Sequence, residues 1–206
     1  MSKMKELKKI IVNKPLKLDC GETINNYPIA YETYGKLNEK KDNAILAFHA
    51  LTGDQFLTGI NPVTNKKGWW TYLIGPSKPI DTNKFFVICA NVIGGCMGSF
   101  GPSTVDEKSK KPLGTNFPVI TINDMVNAQY NLLDHFKIKK LFCVIGGSMG
   151  GMQVLQFVSN FPNAAKNAIP IACTANHSAQ NIAFNELARQ SIMADNNWDK
   201  GNYVNK

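Results

Sequence analysis

The stretch Leu141-Phe-Cys-Val-Ile-Gly-Gly-Ser-Met-Gly-Gly-Met-Gln153 contains the pattern that decides the fold. It opens with an apolar run, 141–145, that is typical of a strand covered on both faces, and it leads into a helical pattern, 149–161. Between the two, Gly146-x-Ser148-x-Gly150 predicts a tight turn that projects the Ser148 hydroxyl above the sheet. Glycines two residues before and after the serine remove side chains that would clash there. We interpret Ser148 as a nucleophile; the alternative is a glycine-rich turn without chemistry.

On both sides of this turn, short apolar runs alternate with helical patterns. The predicted strands are 28–34, 44–48, 85–90, 141–145 and 168–173, and the predicted helices are 124–135, with Asp124 as its N-cap, 149–161 and 178–194. Strands that alternate with helices predict a mostly parallel sheet, and right-handed crossovers place helices on both of its faces. We therefore expect an α/β fold.

A second motif, Phe48-His49-Ala50-Leu51-Thr52-Gly53, follows the predicted strand 44–48. Where a serine stands in such a turn, a loop after a neighbouring strand supplies one backbone N–H to an oxyanion hole, and the residue after the serine supplies the other. Here these donors are Leu51 and Met149. Each can stabilise a transition state by roughly 3–4 kcal/mol. We interpret His49 as a structural residue that shapes the loop, and a role as the base is the less favoured alternative.

The glycine-dense stretch 91–103 matches neither of the common phosphate-binding glycine patterns. Because it follows a predicted strand, we expect it to line the pocket. Cys96 lies within it and is a weaker candidate for a catalytic nucleophile than Ser148.

The composition sets limits on location and partners. The chain has 206 residues, 44% of them hydrophobic, a formal net charge of +8 and five cysteines. No apolar run approaches the roughly 20 residues of a membrane span, and the basic N-terminus lacks the apolar stretch of a signal peptide. We therefore expect a cytoplasmic protein with reduced thiols and no membrane contact. The lysine clusters contain no interleaved aromatic residues, which argues against nucleic-acid binding.

A set of motifs, taken in order along the chain, resembles homoserine O-acetyltransferases. They are His49-Ala-Leu-Thr-Gly-Asp54, Gly68-Trp-Trp70, Ile74-Gly-Pro76, 91–103, Asp124-Met-Val126 with Gln129, Gly146 to Gln153, and Ser178-Ala-Gln180 with Ala183-Phe-Asn185. The resemblance runs from about Leu18 to Tyr203. Two residues depart from the family pattern: Asn123 stands where arginine is frequent, and Phe100 where a small hydroxyl residue is usual.

The resemblance implies an α/β-hydrolase fold that is truncated before its last strands. Residues 1–177 would be the N-terminal part of the core, and residues 178–206 the start of a helical lid. It also implies a ping-pong transfer of an acetyl group from acetyl-CoA to the hydroxyl of L-homoserine, through acylated Ser148, in methionine biosynthesis. Acetyl-CoA is then a substrate, no cofactor or metal is bound, and the full-length form is a cytoplasmic homodimer.

The order of the remaining catalytic residues argues against activity of this chain alone. In this fold the nucleophile is followed by an acid and then by a histidine. No acid lies between Ser148 and His177, while His49 and His135 precede the nucleophile. The sequence therefore predicts an inactive fragment. Three alternatives stay open: a serine esterase or thioesterase, a non-catalytic truncated module, and a succinyl donor or serine acceptor in place of acetyl and homoserine.

Overall fold

A six-stranded sheet lies at the centre of the computed structural model, which describes residues 7–201 and 203. The strands of this part are β1 (Lys9–Val12), β2 (Leu16–Lys17), β3 (Thr23–Ile24), β4 (Tyr27–Tyr34), β5 (Ala44–Phe48), β6 (Ile74–Gly75), β7 (Ile80–Asp81), β8 (Phe86–Ala90), β9 (Leu141–Gly147) and β10 (Ala165–Ile171). The α-helices are α1 (Ile122–Phe136), α2 (Met149–Asn160) and α3 (Ala179–Met193), and short 3-10 helices span Gly114–Asn116 and Asp199–Gly201. Most of the basic N-terminal run, residues 1–6, lies outside the described residues.

The central sheet has the order β1-β4-β8-β5-β9-β10. Strands β8, β5, β9 and β10 are parallel to one another, and β4 is antiparallel to both β1 and β8. Every residue of β5 and β8 is buried, which explains why their sequences are continuous apolar runs rather than alternating ones. The predicted α/β class with a mostly parallel sheet is confirmed.

The two faces of the sheet are covered differently. On one face, helices α1 and α2 pack Leu132 and Phe157 against Phe48 and Val144 of the sheet. On the other face, Ile45 and its neighbours pack against Leu57, Ile74 and Ile80, which belong to the long segment between β5 and β8. In the described part of the chain this second cluster contains no helix residue, so the expected helices cover one face only. The reason is that the crossover from β5 to β8 is an irregular segment with two short strands.

Helix α1 begins earlier than predicted. Its N-cap is Thr121, whose side chain accepts a hydrogen bond from the Asp124 amide at 3.2 Å, while the Asp124 carboxylate accepts one from the Thr121 amide at 2.9 Å. This reciprocal pair is a capping box, in which the acid occupies the third helical position. The prediction of Asp124 as the N-cap was therefore wrong, because aspartate suits both positions. Asp124 is fully buried and also accepts a hydrogen bond from the Asp19 amide at 3.0 Å.

Strand β10 and helix α3 form an open edge of the structure. Strand β10 begins and ends earlier than the predicted strand 168–173, and from its second residue onward all its residues are exposed. Helix α3, capped by Ser178, contains no buried residue, and Phe184 and Leu187 are 63% and 64% exposed.

No helix among the described residues is long and apolar enough to span a membrane. The division of the chain at residue 177 stays a prediction.

Candidate active site

Ser148 occupies the turn between β9 and α2 in a strained backbone conformation. Its φ of 56° and ψ of −123° place it outside the regions that L residues ordinarily adopt, and its side chain is exposed. The Ser148 amide donates a hydrogen bond to the carbonyl oxygen of Ile171 at 3.0 Å. The end of the neighbouring strand β10 therefore helps to hold the serine in this conformation.

The two glycines of the motif are required by contacts on opposite sides of the serine. A Cβ atom on Gly146 would overlap the carbonyl oxygen of Gly150, and a Cβ atom on Gly150 would overlap the carbonyl oxygen of Phe48. By contrast, a Cβ atom on Gly147 would meet nothing within 4 Å. The steric reason given for the motif therefore holds at both of its glycine positions.

The structure brings Leu51 and Met149 to the same cavity as Ser148. Leu51 follows strand β5 in an exposed turn, and Met149 is the first residue of α2. Within residues 7–201, the backbone N–H of neither residue donates a hydrogen bond. Both groups are therefore available to donate to an oxyanion, and their role in an oxyanion hole stays a prediction.

His49 is buried behind this loop, with only 1% of its surface exposed. The Val92 amide donates to its Nε2 at 3.1 Å, so Nε2 is the acceptor and Nδ1 carries the proton that it donates to the Ala50 carbonyl at 2.8 Å. Burial lowers the pKa of the imidazole, although the Ala50 hydrogen bond opposes that shift. Both ring nitrogens are occupied by backbone groups, which supports a structural role and argues against a role as base.

The cavity beside Ser148 has a volume of about 1050 Å³. Its walls are formed by Leu51, Ile122, Ser148, Met149, Met152, Leu155, Gln156, Ser159, residues 172–177, Asn181, Phe184 and Asn185. None of these described residues is an Asp, Glu, Lys or Arg, so a bound molecule would meet apolar, amide, hydroxyl and imidazole groups and the Cys173 thiol. His177 lies in this wall, but the structure shows no hydrogen bond between it and Ser148 in the described part of the chain.

The glycine-dense loop 91–103 does not line this cavity, contrary to the prediction. It folds back on itself, because the Asn91 side chain accepts a hydrogen bond from the Met97 amide at 3.1 Å and the Ser99 hydroxyl donates to the Asn91 carbonyl at 2.6 Å. The same Asn91 side chain lies 3.3 Å from His49 Nε2. The loop therefore supports His49 from behind. Cys96, the alternative nucleophile, is exposed and lies outside the cavity wall.

Two buried glutamines were not recognised as part of the site. Gln129 on α1 and Gln153 on α2 are 1% and 0% exposed, and Gln129 Nε2 donates to Gln153 Oε1 at 2.7 Å. Gln153 also reaches the carbonyl of His49. Both residues stand in motifs quoted for the family resemblance, but their contact joins two helices and has no local signal in the sequence.

Asn123, one of the two departures from the family pattern, has a structural role. Its Nδ2 donates to Asp19 at 2.8 Å, and its Oδ1 accepts from Asn160 at 2.7 Å. Hydrogen bonds from Thr121 and then Asn123 lower the pKa of the Asp19 carboxyl. Asn123 therefore joins the start of α1 to the end of α2 without contact to Ser148.

Within the described residues, no group of three or more His, Cys, Asp or Glu side chains lies close enough to hold a metal ion.

Comparison with known proteins shows two kinds of relative. A family profile described as alpha/beta hydrolase fold matches residues 43–204. The homoserine O-acetyltransferase of Pelagibacter ubique is 73% identical over 200 residues, which are 97% of this chain and 54% of that protein. That of Mesorhizobium japonicum is 59% identical over 191 residues, which cover 93% of this chain and 49% of that protein. These relatives confirm the resemblance predicted from the motifs.

Solved structures give the same result for the fold. The homoserine O-acetyltransferase of Bacillus anthracis superposes with a TM-score of 0.86 at 30% identity, covering 98% of this chain and 56% of that chain. Esterase E22 superposes with a TM-score of 0.87 at 32% identity, covering 97% of this chain and 56% of that chain. The chain spans about half the length of the relatives that it matches.

Proposed function

The chain belongs to the α/β-hydrolase fold family, and we propose that it supplies the nucleophile of an acyltransferase that moves an acetyl group from acetyl-CoA to the hydroxyl of L-homoserine. The observation that carries this proposal is the 73% identity, over 97% of the chain, to a protein named homoserine O-acetyltransferase. The strained Ser148 beside the large cavity supplies the chemistry that such a reaction needs. The product would serve methionine biosynthesis in the cytoplasm.

In the first half of the proposed reaction, the Ser148 hydroxyl attacks the thioester carbonyl and its proton passes to a base. The negative charge that develops on the carbonyl oxygen is stabilised by the N–H groups of Leu51 and Met149. CoA leaves as a thiol once its sulfur takes up the proton, and the acetyl group stays on Ser148 as an ester. In the second half, the homoserine hydroxyl attacks that ester, and the serine hydroxyl is restored.

We propose that the base and acid of the triad are supplied by residues outside 1–206, in a longer protein. Among the described histidines, His49 has both ring nitrogens occupied, His135 contacts Tyr31, and His177 makes no hydrogen bond to Ser148. Since a serine hydroxyl without a base is a poor nucleophile, we propose that residues 1–206 alone do not turn over acetyl-CoA. The active form would be a homodimer of the longer protein.

A second candidate function is hydrolysis of acetyl esters, with water as the acceptor in place of homoserine. It is favoured by one observation, the superposition on esterase E22 with a TM-score of 0.87. Both functions begin with the same acetylated Ser148, so they differ only in the second half of the reaction.

The test uses the protein encoded by the complete gene, called the full natural chain below, rather than residues 1–206 alone. It is incubated with acetyl-CoA, with and without L-homoserine. We expect mass spectrometry to find the acetyl group on Ser148, and to find O-acetylhomoserine rather than acetate when homoserine is present. Ser148→Ala should abolish both, and Cys96→Ser should change neither. Acetate as the main product in saturating homoserine would favour the esterase, and an adduct on Cys96 would refute the assignment of the nucleophile. Replacing acetyl-CoA with succinyl-CoA tests the donor.

A further inference from the structure

Gln153 connects three elements that surround the strained serine. It lies on the second turn of α2 and is fully buried. Its Nε2 lies 3.2 Å from the His49 carbonyl and 3.4 Å from the Met149 carbonyl, while its Oε1 accepts the hydrogen bond from Gln129. One side-chain amide therefore contacts the loop after β5, the start of α2 and helix α1.

The two carbonyls that Gln153 contacts belong to the segments that carry the proposed oxyanion donors. Met149 is itself one donor, and His49 lies two residues before Leu51, the other donor. The same segments are in close contact at Gly150, where a Cβ atom would overlap the Phe48 carbonyl. The distance between the Leu51 and Met149 N–H groups therefore depends on the contacts that Gln153 makes with the His49 and Met149 carbonyls.

The polar character of this contact is not explained by packing alone. An apolar side chain of similar size would fill the same space between α2 and β5 without burying an amide. The glutamine pair also leaves Gln129 Oε1 buried without a hydrogen-bond partner among the described residues, which lowers stability. What the Gln153 amide adds is direction, because a donor between two carbonyls fixes the orientation of the peptide groups 49–50 and 149–150, each of which adjoins the peptide group that carries a proposed oxyanion donor.

We propose that Gln153 is a positioning residue that sets the distance and orientation of the Leu51 and Met149 N–H groups. The proposal rests on the proposed function, since it needs an oxyanion at that place. Gln153 is absent from the cavity wall and so acts through the backbone rather than on a substrate.

The first test compares two buried amides in the full natural chain. Gln153→Met keeps the size of the side chain and removes its hydrogen bonds. The control is Asn131→Leu, because Asn131 is also a buried amide, on α1, and its Nδ2 donates to the Tyr27 hydroxyl at 3.0 Å, away from the serine turn. The measurements are thermal stability and the rate at which p-nitrophenyl acetate acetylates Ser148. We expect both variants to lose stability, and only Gln153→Met to slow acetylation, on the order of tenfold to a hundredfold with KM nearly unchanged.

The second test is Gln153→Glu, which can still accept the Gln129 hydrogen bond. It can donate to a carbonyl only when its carboxyl is protonated, and burial raises the pKa of such a group. We therefore expect the ratio of its acetylation rate to that of the unmodified protein to rise as the pH falls. The rates are taken per folded molecule, because protonation of a buried glutamate also restores stability. A merely structural role does not predict a recovery of that ratio, which is informative even if Gln153→Met fails to fold.

Two outcomes overturn the proposal. One is a Gln153→Met variant that, per folded molecule, acetylates as fast as Asn131→Leu; the other is a Gln153→Glu rate ratio that does not change with pH. In either case acetylation of Ser148 in the unmodified protein would still support the proposed function. If Ser148 of the unmodified protein is never acetylated, the proposed function fails, and the role of Gln153 fails with it.

Discussion

The Ser148 amide and the Ile171 carbonyl are joined by a hydrogen bond of 3.0 Å that links the serine turn to the last residue of β10. The residue after Ile171 is Ala172, which has a φ of 45°. Like Ser148, Ala172 therefore has a positive φ, and it directly follows the residue whose carbonyl accepts from the Ser148 amide. Ser148 and Ala172 both line the cavity. The conformation of the serine turn therefore depends on the geometry of an exposed strand end, and this dependence can be tested.

Ala172→Val places a β-branched side chain at a positive φ, which we expect to lower stability by about 1–3 kcal/mol. It should also slow acetylation of Ser148, because the Ile171 carbonyl would move with its neighbour. Ala175→Val is the control, since Ala175 lines the same cavity without a positive φ. Chemical denaturation and the acetylation rate measure the two effects. Equal behaviour of the two variants would argue against strain at Ala172.

Gly150→Ala should destabilise the fold by about 1–3 kcal/mol or more, because the added methyl group overlaps the backbone carbonyl of Phe48, which has little freedom to move. Gly147→Ala is the control, because it adds the same methyl group three residues away, where that group would meet nothing within 4 Å. We expect it to fold normally. The check is the melting temperature of both variants, and a normally stable Gly150→Ala would show that α2 can shift away from β5.

The His49 imidazole should give the protein a pH-dependent stability. Burial lowers its pKa in the folded state, so as the pH falls through about 6.5 the unfolded chain takes up a proton that the folded chain does not. Stability is therefore complete above that pH and declines below it, by at most about 1.4 kcal/mol per pH unit, until the folded-state pKa is reached.

NMR titration of the histidine ring signals measures this directly. The His49 signals should stay those of the neutral ring with the proton on Nδ1 when the pH is lowered past 6.5. His49→Gln should lose its part of the pH dependence of the melting temperature, and His135→Gln should keep it. A His49 ring that titrates normally would contradict the hydrogen-bond arrangement around it.

Residues 1–206 expressed alone should associate through the open edge. Strand β10 has one neighbour in the described sheet, and its residue Ile169 is 45% exposed. Several large apolar side chains of α3 are also exposed. Such edges pair with other chains through unpaired backbone groups. We expect oligomers in size-exclusion chromatography, and a lower fraction of them for Ile169→Lys combined with Leu187→Lys. An unmodified chain that elutes as a monomer and unfolds in one sharp thermal transition would contradict the predicted association.

The sequence predicted well those features that depend on neighbouring residues. The serine turn was recognisable because Gly146, Ser148 and Gly150 act within one turn, and the buried strands were recognisable as continuous apolar runs. The N-cap of α1 was misplaced because threonine and aspartate three residues apart can each fill that position.

Features that depend on distant residues were not predictable in the same way. The Gln129–Gln153 pair joins residues 24 positions apart, and the Asn91 contacts join the loop 91–103 to His49 across 42 positions. Neither contact has a periodic signal. The exposure of β10 was expected only from the resemblance to a fold with further strands, because an apolar strand pattern by itself does not tell which of its sides has a partner.

The order of the parallel strands also bears on how the protein is made. Strands β5, β9 and β10 lie side by side in the same order as they occur in the chain, so β9 and β10 each pair with a strand that was synthesised earlier. Because synthesis proceeds at about 5–20 residues per second, this half of the sheet can extend outward while the ribosome is still translating. Because β10 is the last of these strands to be made, β9 stays an uncovered apolar edge until β10 pairs with it, and a chaperone that shields β9 in that interval would protect the nascent protein.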